Sequence, residues 1–264
     1  MQYGAMNFPV MPVLEEIENI ARLGFDYVEL AMDPPMAHHS VLTANRTAIA
    51  KTLADTGLGL VCHLPTFVST ADLTESLRQA SVDEMRRSLE TAHALGANKV
   101  VLHPSMVGGM GAFVPATAKG YAFEFFAQMV AAAEEPQITI CLENMFPRNR
   151  IGVTPEDFGE IFAAHPSLRL TLDTGHANID SEGNSRLLQL VEQFGDRLGH
   201  LHFSDNRGKR DDHLAVGRGT VNFTELVRRL KKIGYDDTLT LEIFEQDRQL
   251  LVDSRRRIEA LFGR

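Results

Sequence analysis

The chain has little of what would send it to a membrane, through a secretory route or onto nucleic acid. No apolar run approaches the ~18 residues that a spanning helix needs. The opening stretch, MQYGAMNFPVMP, has no basic segment followed by an apolar one, so no secretory leader is visible and a cytoplasmic location is expected. Cysteine is scarce. Cys62 and Cys141 each sit inside an apolar run (VCHL and ICLE), which argues against a disulfide framework and for a reducing compartment. Basic residues are outnumbered, 26 Lys and Arg against 35 Asp and Glu, for a formal net charge of −9. A chain of that sign has no general attraction to polyanions, which disfavours nucleic acid as a partner. No glycine-rich phosphate fingerprint opens the first helical stretch. That tells against a dinucleotide-binding open sheet, the structural alternative to the reading below. No linker, low-complexity tract or composition shift divides residues 1–264, so a single domain is expected.

What is present is a strict alternation. Short apolar runs at 2–6, 27–30, 58–63, 99–103, 138–143, 168–173, 198–203 and 238–244 read as strands buried on both faces. Between them lie amphipathic stretches at 13–24, 42–57, 72–96, 115–134, 155–164, 184–195, 223–234 and 247–262, several stopping at glycine (Gly24, Gly57, Gly96, Gly234). Alternating strands and helices imply a parallel sheet. Eight such units in 264 residues predict closure into an α/β (β/α)8 TIM barrel, a fold of about 250 residues.

In such a barrel the C-terminal strand ends meet on one face, where active sites lie. Six of the eight runs carry a metal-capable residue near that end: His63, His103, Glu143, Asp173, His202 and Glu242. A single histidine after a strand is ordinarily a hydrogen-bonded structural residue. Carboxylates inside runs such as ITICLE and LTLEIF are costly to bury unless they are paired or bound to metal. Asp173 opens DTGH, which makes it a helix N-cap candidate and adds His176. His200 and His202, two apart, point to the same side of their strand. Taken together, six matching strand ends point to a site for a divalent cation, with Zn, Mn, Mg, Co and Fe all compatible with this donor mix.

The segment SDNRGKRDDHLAVGRGT (204–220) supplies a further donor pair, Asp211 and His213, and a set of cations, Arg207, Lys209, Arg210 and Arg218. Arg148 and Arg150 follow the fifth run. Such charges are either solvated surface or a binding face for an anionic substrate. The apolar stretch MVGGMGAFVP (106–115) reads as a lid or as a contact surface between copies, so an oligomer is compatible with the sequence.

CLEN (141–144), LDTGH (172–176), HLHFSDNRGKRDDHLAVGRGT (200–220) and LTLEIF (239–244) resemble the xylose isomerase-like TIM-barrel superfamily, over essentially the whole chain. That group includes sugar phosphate isomerases and epimerases and endonuclease IV. The resemblance implies a metal held by Glu143, Asp173, His202 and Glu242. It implies that Glu143 and Glu242 exchange protons with the substrate, and that His63, His103, His176 and Arg207 contact it. The endonuclease branch implies three zinc ions, with His63, His103, His176, Asp211 and His213 as additional ligands.

The expected function is therefore a divalent-metal-dependent isomerase or epimerase acting on a small carbohydrate or its phosphate. The alternative is an endonuclease IV-like zinc phosphodiester hydrolase acting on abasic DNA. Against it, the loops AMDPPMAHHS (31–40) and LPTFVST (64–70) carry no basic or aromatic wedge beyond Phe67. A non-catalytic barrel that binds sugar as a sensor is the third reading. It is disfavoured because buried carboxylates that only stabilise are a poor use of a core.

Overall fold

Every strand residue from Tyr3 to Met6 is buried, and all of Tyr27–Ala31 is buried, as a sheet covered on both faces requires. The computed structural model describes residues 1–263. Its strands are β1 (Gln2–Met6), β2 (Tyr27–Ala31), β3 (Gly59–His63), β4 (Lys99–Leu102), β5 (Thr139–Glu143), β6 (Arg169–Asp173), β7 (Leu198–Phe203) and β8 (Thr238–Leu241). Each pairs in parallel with the next, and β8 returns to β1, closing the barrel. The helices are α1 (Val13–Arg22), α2 (His39–Ala44), α3 (Arg46–Thr56), α4 (Glu75–Ala94), α5 (Pro115–Glu134), α6 (Pro155–Ala164), α7 (Thr174–Asn178), α8 (Ser185–Phe194), α9 (Phe223–Ile233) and α10 (Gln249–Phe262). The chain is a single (β/α)8 TIM barrel, as the alternation predicts.

Small shifts at the ends aside (β4 stops at Leu102, one residue before His103), three departures from the periodicity matter for the site. The stretch at 42–57 is two helices rather than one. Asn45 leaves helical geometry (φ −103°, ψ 9°), and its side-chain amide donates to the Val41 carbonyl at 2.9 Å. The eighth strand ends at Leu241, although the Glu242 amide still donates to the Phe203 carbonyl at 3.2 Å. The short α7 fills DTGH, because the Asp173 carboxylate caps it at the His176 amide.

The main apolar core lies between the strands and the helices, with Ile17, Phe125, Phe158 and Leu226 fully buried in it. Inside the barrel Tyr27, Val61 and Val101 form a small apolar cluster of their own. Gly4 makes room for the first of them, since a Cβ there would lie 2.2 Å from the Tyr27 ring. The Tyr27 hydroxyl reaches Thr240 Oγ1 at 2.8 Å. Above that layer the interior is polar. Cys62 and Cys141 are free and buried, and burial pushes the Cys141 thiol up to about 12.

One irregularity sets the register of the upper interior. Leu170 pairs with Leu198, but Thr171 pairs with His200, so Gly199 is an extra residue in β7. A Cβ at Gly199 would lie 2.8 Å from both Arg169 Cβ and Cys141 Sγ. Lys99 Nζ donates to the Gly199 carbonyl at 2.6 Å. Beyond the bulge, Asp173 pairs with His202, and His202 with Thr240. A slip of one residue would turn His200 and His202 out of the barrel.

Candidate metal centre

Glu143 is the last residue of β5, Asp173 the last of β6, His202 lies near the end of β7, and Glu242 follows β8 directly. Four consecutive strands thus deliver three carboxylates and an imidazole to the C-terminal mouth. One donor atom from each lies within 4.8 Å of the others. His202 Nδ1 stands 3.4 Å from Glu143 Oε2, 3.3 Å from Glu242 Oε2 and 3.9 Å from Asp173 Oδ2. All four residues are buried. Each retains one buried polar atom without a hydrogen bond: Glu143 Oε1, Asp173 Oδ2, His202 Nδ1 and Glu242 Oε2. Buried polar atoms are rarely left so. Three of them, on Asp173, His202 and Glu242, face one another together with Glu143 Oε2, and this set fits the coordination shell of a divalent cation.

The supporting shell is built from short motifs. Asn144 binds the β6 end both ways, with its amide donating to the Asp173 carbonyl at 3.0 Å and its carbonyl oxygen accepting from the Asp173 amide at 2.8 Å. Asp173 divides its carboxylate. Oδ1 caps α7 at the His176 amide (2.5 Å), which leaves Oδ2 for the cluster. Asp205 folds the long loop after β7, its oxygens accepting from the amides of Gly217 (3.0 Å), Gly219 (2.8 Å) and Val221 (3.1 Å). Gly219 is required there, because a Cβ would meet the Asn206 carbonyl oxygen at 2.1 Å. That loop presents Asp211 and His213, and His213 sits in the left-handed region (φ 46°), a costly place for a non-glycine residue.

Glu29 on β2 joins the cluster from inside the barrel, although it does not lie at a strand end. It is fully buried at mid-strand, with Oε1 accepting from His202 Nε2 at 2.9 Å and Oε2 from His200 Nε2 at 2.9 Å. Thr240 Oγ1 also donates to Oε2. The sequence signal was there in YVEL, a carboxylate inside an apolar run, but not at the run's end.

The other predicted residues gather around Glu143 and Asp211. Glu143 Oε2 lies 3.3 Å from His63 Nε2 and 3.2 Å from His103 Nε2. His63, Glu143 and His202 form a second convergent trio of donors. His176 Nδ1 is 3.0 Å from Glu143 Oε1, and its Nε2 is 3.2 Å from Asp211 Oδ2. His213 Nε2 lies 2.9 Å from the same Asp211 oxygen. His200, the neighbour of His202, belongs to the Glu29 layer, with Nδ1 on Thr238 Oγ1 at 2.7 Å. Arg207 is exposed, and no hydrogen bond or ion pair among the described residues ties it to the cluster. Of the remaining loop cations, Lys209 pairs with Asp180 (2.9 Å), Arg210 lies 3.8 Å from Asp212, and Arg218 pairs with Glu245. Arg148 and Arg150 are exposed.

The electrostatics divide the cluster. Burial alone would raise Glu143, but His103 and His202 hold its carboxyl well below the ordinary value. Glu242 is lowered against the same burial penalty, by His213 and His202. Asp173 goes the other way, pushed up to about 7 by burial despite His176, with Glu143 and Glu242 adding to the rise. Burial would discharge His202, but Glu29 and Glu143 raise it well above the ordinary imidazole value. His63, beside Glu143, rises to about 9 in spite of burial.

A family model described as xylose isomerase-like TIM barrel matches residues 17–261. The uncharacterized protein MJ1311 of Methanocaldococcus jannaschii is 30% identical over 250 residues, covering 92% of this chain and 83% of its own. The L-ribulose 3-epimerase of a Methylomonas species is 28% identical over 240 residues, covering 88% and 78%. Among solved structures, a D-tagatose 3-epimerase-like protein superposes with a TM-score of 0.89 at 27% identity, covering 100% of this chain and 97% of the other. No described helix is long and apolar enough to cross a membrane.

Proposed function

This chain belongs to the xylose isomerase-like TIM-barrel family, and from that premise we propose that it is a divalent-metal-dependent sugar epimerase or isomerase. The observation that carries the reading is the convergence of donor atoms from Glu143, Asp173, His202 and Glu242 within 4.8 Å of one another, with buried atoms on Asp173, His202 and Glu242 that make no hydrogen bond. Similarity to 3-epimerases supports the reaction class.

The four residues would hold the cation. When bound, it supplies Lewis-acid polarisation of a substrate carbonyl beside the carbon that inverts. Glu143 and Glu242 arrive from β5 and from beyond β8, and both are held ionised. Either can therefore take a carbon-bound proton, and the other, once it has picked up a proton from a substrate hydroxyl or solvent, returns that proton to the opposite face. His176 and His63 flank Glu143 as donors to substrate oxygens, and Arg207 is the exposed cation for a phosphorylated or acidic substrate. Glu29 and Asn144 do not reach the substrate; they hold His202 and Asp173 in place.

The test is hydrogen exchange. Protein loaded in turn with Mn²⁺, Co²⁺, Zn²⁺ and Mg²⁺ is incubated in D2O with a panel of ketoses and their phosphates. Deuterium at the carbon next to the carbonyl, followed by the epimer or the isomeric aldose, is expected for at least one pair. Absence of exchange across the whole panel overturns the reading. One observation favours a second reading, a zinc phosphodiester hydrolase: His63, Glu143 and His202 form a second donor trio beside the first. Three zinc ions per chain and nicking of abasic DNA would establish it, and the excess of acidic residues weighs against it.

A further inference from the structure

We propose a second, separate metal site on the outside of the barrel, formed by His38 and His39 at the start of α2 and Glu84 on α4. One donor atom from each of the three lies within 4.8 Å of the others. His38 Nε2 is 2.8 Å from Glu84 Oε1, and His39 Nε2 is 3.4 Å from Glu84 Oε2. The two rings lie side by side, with centroids 4.1 Å apart and planes at 41°. Among the described residues, no hydrogen bond or ion pair links the three to the central cluster.

The contacts look less like ion pairs than like ligands arranged around a common point. Glu84 Oε1 is buried and makes no hydrogen bond, even though His38 Nε2 is within 2.8 Å. The imidazole N–H would thus point past the oxygen rather than at it. The two imidazoles meet different oxygens of one carboxylate, at 2.8 and 3.4 Å, and one donor atom from each residue is close enough to the others for a zinc ion with bonds of about 2.0–2.1 Å to reach all three. His38 Nδ1 accepts from the Ser40 amide at 3.3 Å and lies 2.8 Å from Ser40 Oγ, which fixes the ring with Nε2 toward Glu84. A cation would take the place of the Nε2 proton there.

Two imidazoles and one carboxylate suit a borderline cation such as Zn²⁺ rather than Mg²⁺ or Ca²⁺. Side-chain exposures of 30%, 14% and 25% leave the fourth position open to water. The consequence is mechanical. The segment between β2 and α2 is already held by Asp33, whose carboxylate accepts from the Thr66 amide and hydroxyl at 3.0 Å each. A cation at His38, His39 and Glu84 would fasten its other end to α4.

Zinc and Co²⁺ binding is measured by equilibrium dialysis and by the visible spectrum of the cobalt form. The proteins are the parent, a centre-disabled protein (Asp173→Asn with Glu242→Gln), and that protein with either His38→Ala/His39→Ala or Glu84→Gln added. The centre-disabled protein is expected to keep one zinc per chain and to gain thermal stability from it. The added histidine changes should remove that ion, and Glu84→Gln should weaken it by about tenfold or more. Glu84→Gln preserves side-chain shape, so it separates ligation from folding. Two results overturn the site: no zinc on the centre-disabled protein at micromolar concentrations, or equal zinc on all of its derivatives.

Discussion

Glu29 and His202 form a buried pair in which Oε1 accepts from Nε2 at 2.9 Å, and this turns Nδ1 toward Glu143 and Glu242. The imidazole atom that would meet a cation is thus selected from below, by a carboxylate two layers deep in the barrel. Burial would raise Glu29, but His202 and His200 together hold it well below the ordinary carboxyl value. It therefore stays an acceptor. Glu29→Gln removes the charge while keeping the shape, and an amide presents a donor where His202 or His200 needs an acceptor. Cation affinity at the centre is expected to fall by about 10–100-fold. Isothermal titration of the metal-free variant, with its thermal midpoint as a folding control, measures this. Unchanged affinity would show that Glu29 serves only the barrel interior.

The difference between Glu29 and Glu143 shows what the sequence makes legible. Both are carboxylates in apolar runs, and both are costly to bury alone. Glu143 ends its strand, where barrel topology gathers functional groups, so position and chemistry point the same way. Glu29 sits mid-strand, and its partners His200 and His202 lie more than 170 residues on, visible only once β2 and β7 face each other across a closed barrel. Closure itself follows from eight alternating units. The Gly199 bulge does not, because its cause is a close approach to Arg169 and Cys141 on other strands. His38 and His39 are likewise silent until α2 packs on α4.

Gly199 predicts a stability effect with a functional echo. A Cβ at this position would overlap Arg169 Cβ and Cys141 Sγ, both 2.8 Å away and both backed by packed strands. Gly199→Ala is expected to cost about 1–3 kcal/mol, the usual range for overpacking. At about 2–4 °C per kcal/mol for a chain of this size class, the melting midpoint should drop by several degrees. The bulge also sets the pairing of Asp173 with His202, so cation affinity should weaken with it. Phe158→Ala, in the core between strands and helices, is the control: it should lower stability and spare the affinity. Equal losses of affinity in both would refute the register argument.

Cation binding should depend on pH through Asp173. Burial pushes this carboxyl up to about 7 in the metal-free protein, against an ordinary value of 3.8. Between those values the native state holds a proton that the unfolded chain has released. Asp173's contribution to metal-free stability therefore declines as pH rises through that window. Binding runs the opposite way, since a ligand must be ionised. Below pH 7 each further unit of acid should weaken affinity about tenfold through Asp173 alone. Competition against a chelator of known proton affinity, from pH 6 to 8, checks the slope. A flat profile would mean that Asp173 is ionised without the cation.

The last prediction separates the two glutamates that the proposed reaction uses. Glu143→Gln and Glu242→Gln each keep an oxygen that can face a cation but lose the ability to carry a proton. With metal content brought back to the parent level, each should lose about 10²–10⁴-fold in turnover. The losses should differ in kind. If one carboxylate serves each face of the inverting carbon, the remaining one can still remove a proton from one epimer and return it to the same face. In D2O, Glu143→Gln should then exchange hydrogen from one epimer without inverting it, and Glu242→Gln should do so from the other. Mass spectrometry of each recovered epimer reads this directly. A variant that fills with metal and keeps full turnover would remove its glutamate from the proton path. Exchange from both epimers in either variant would point to a single base working on both faces.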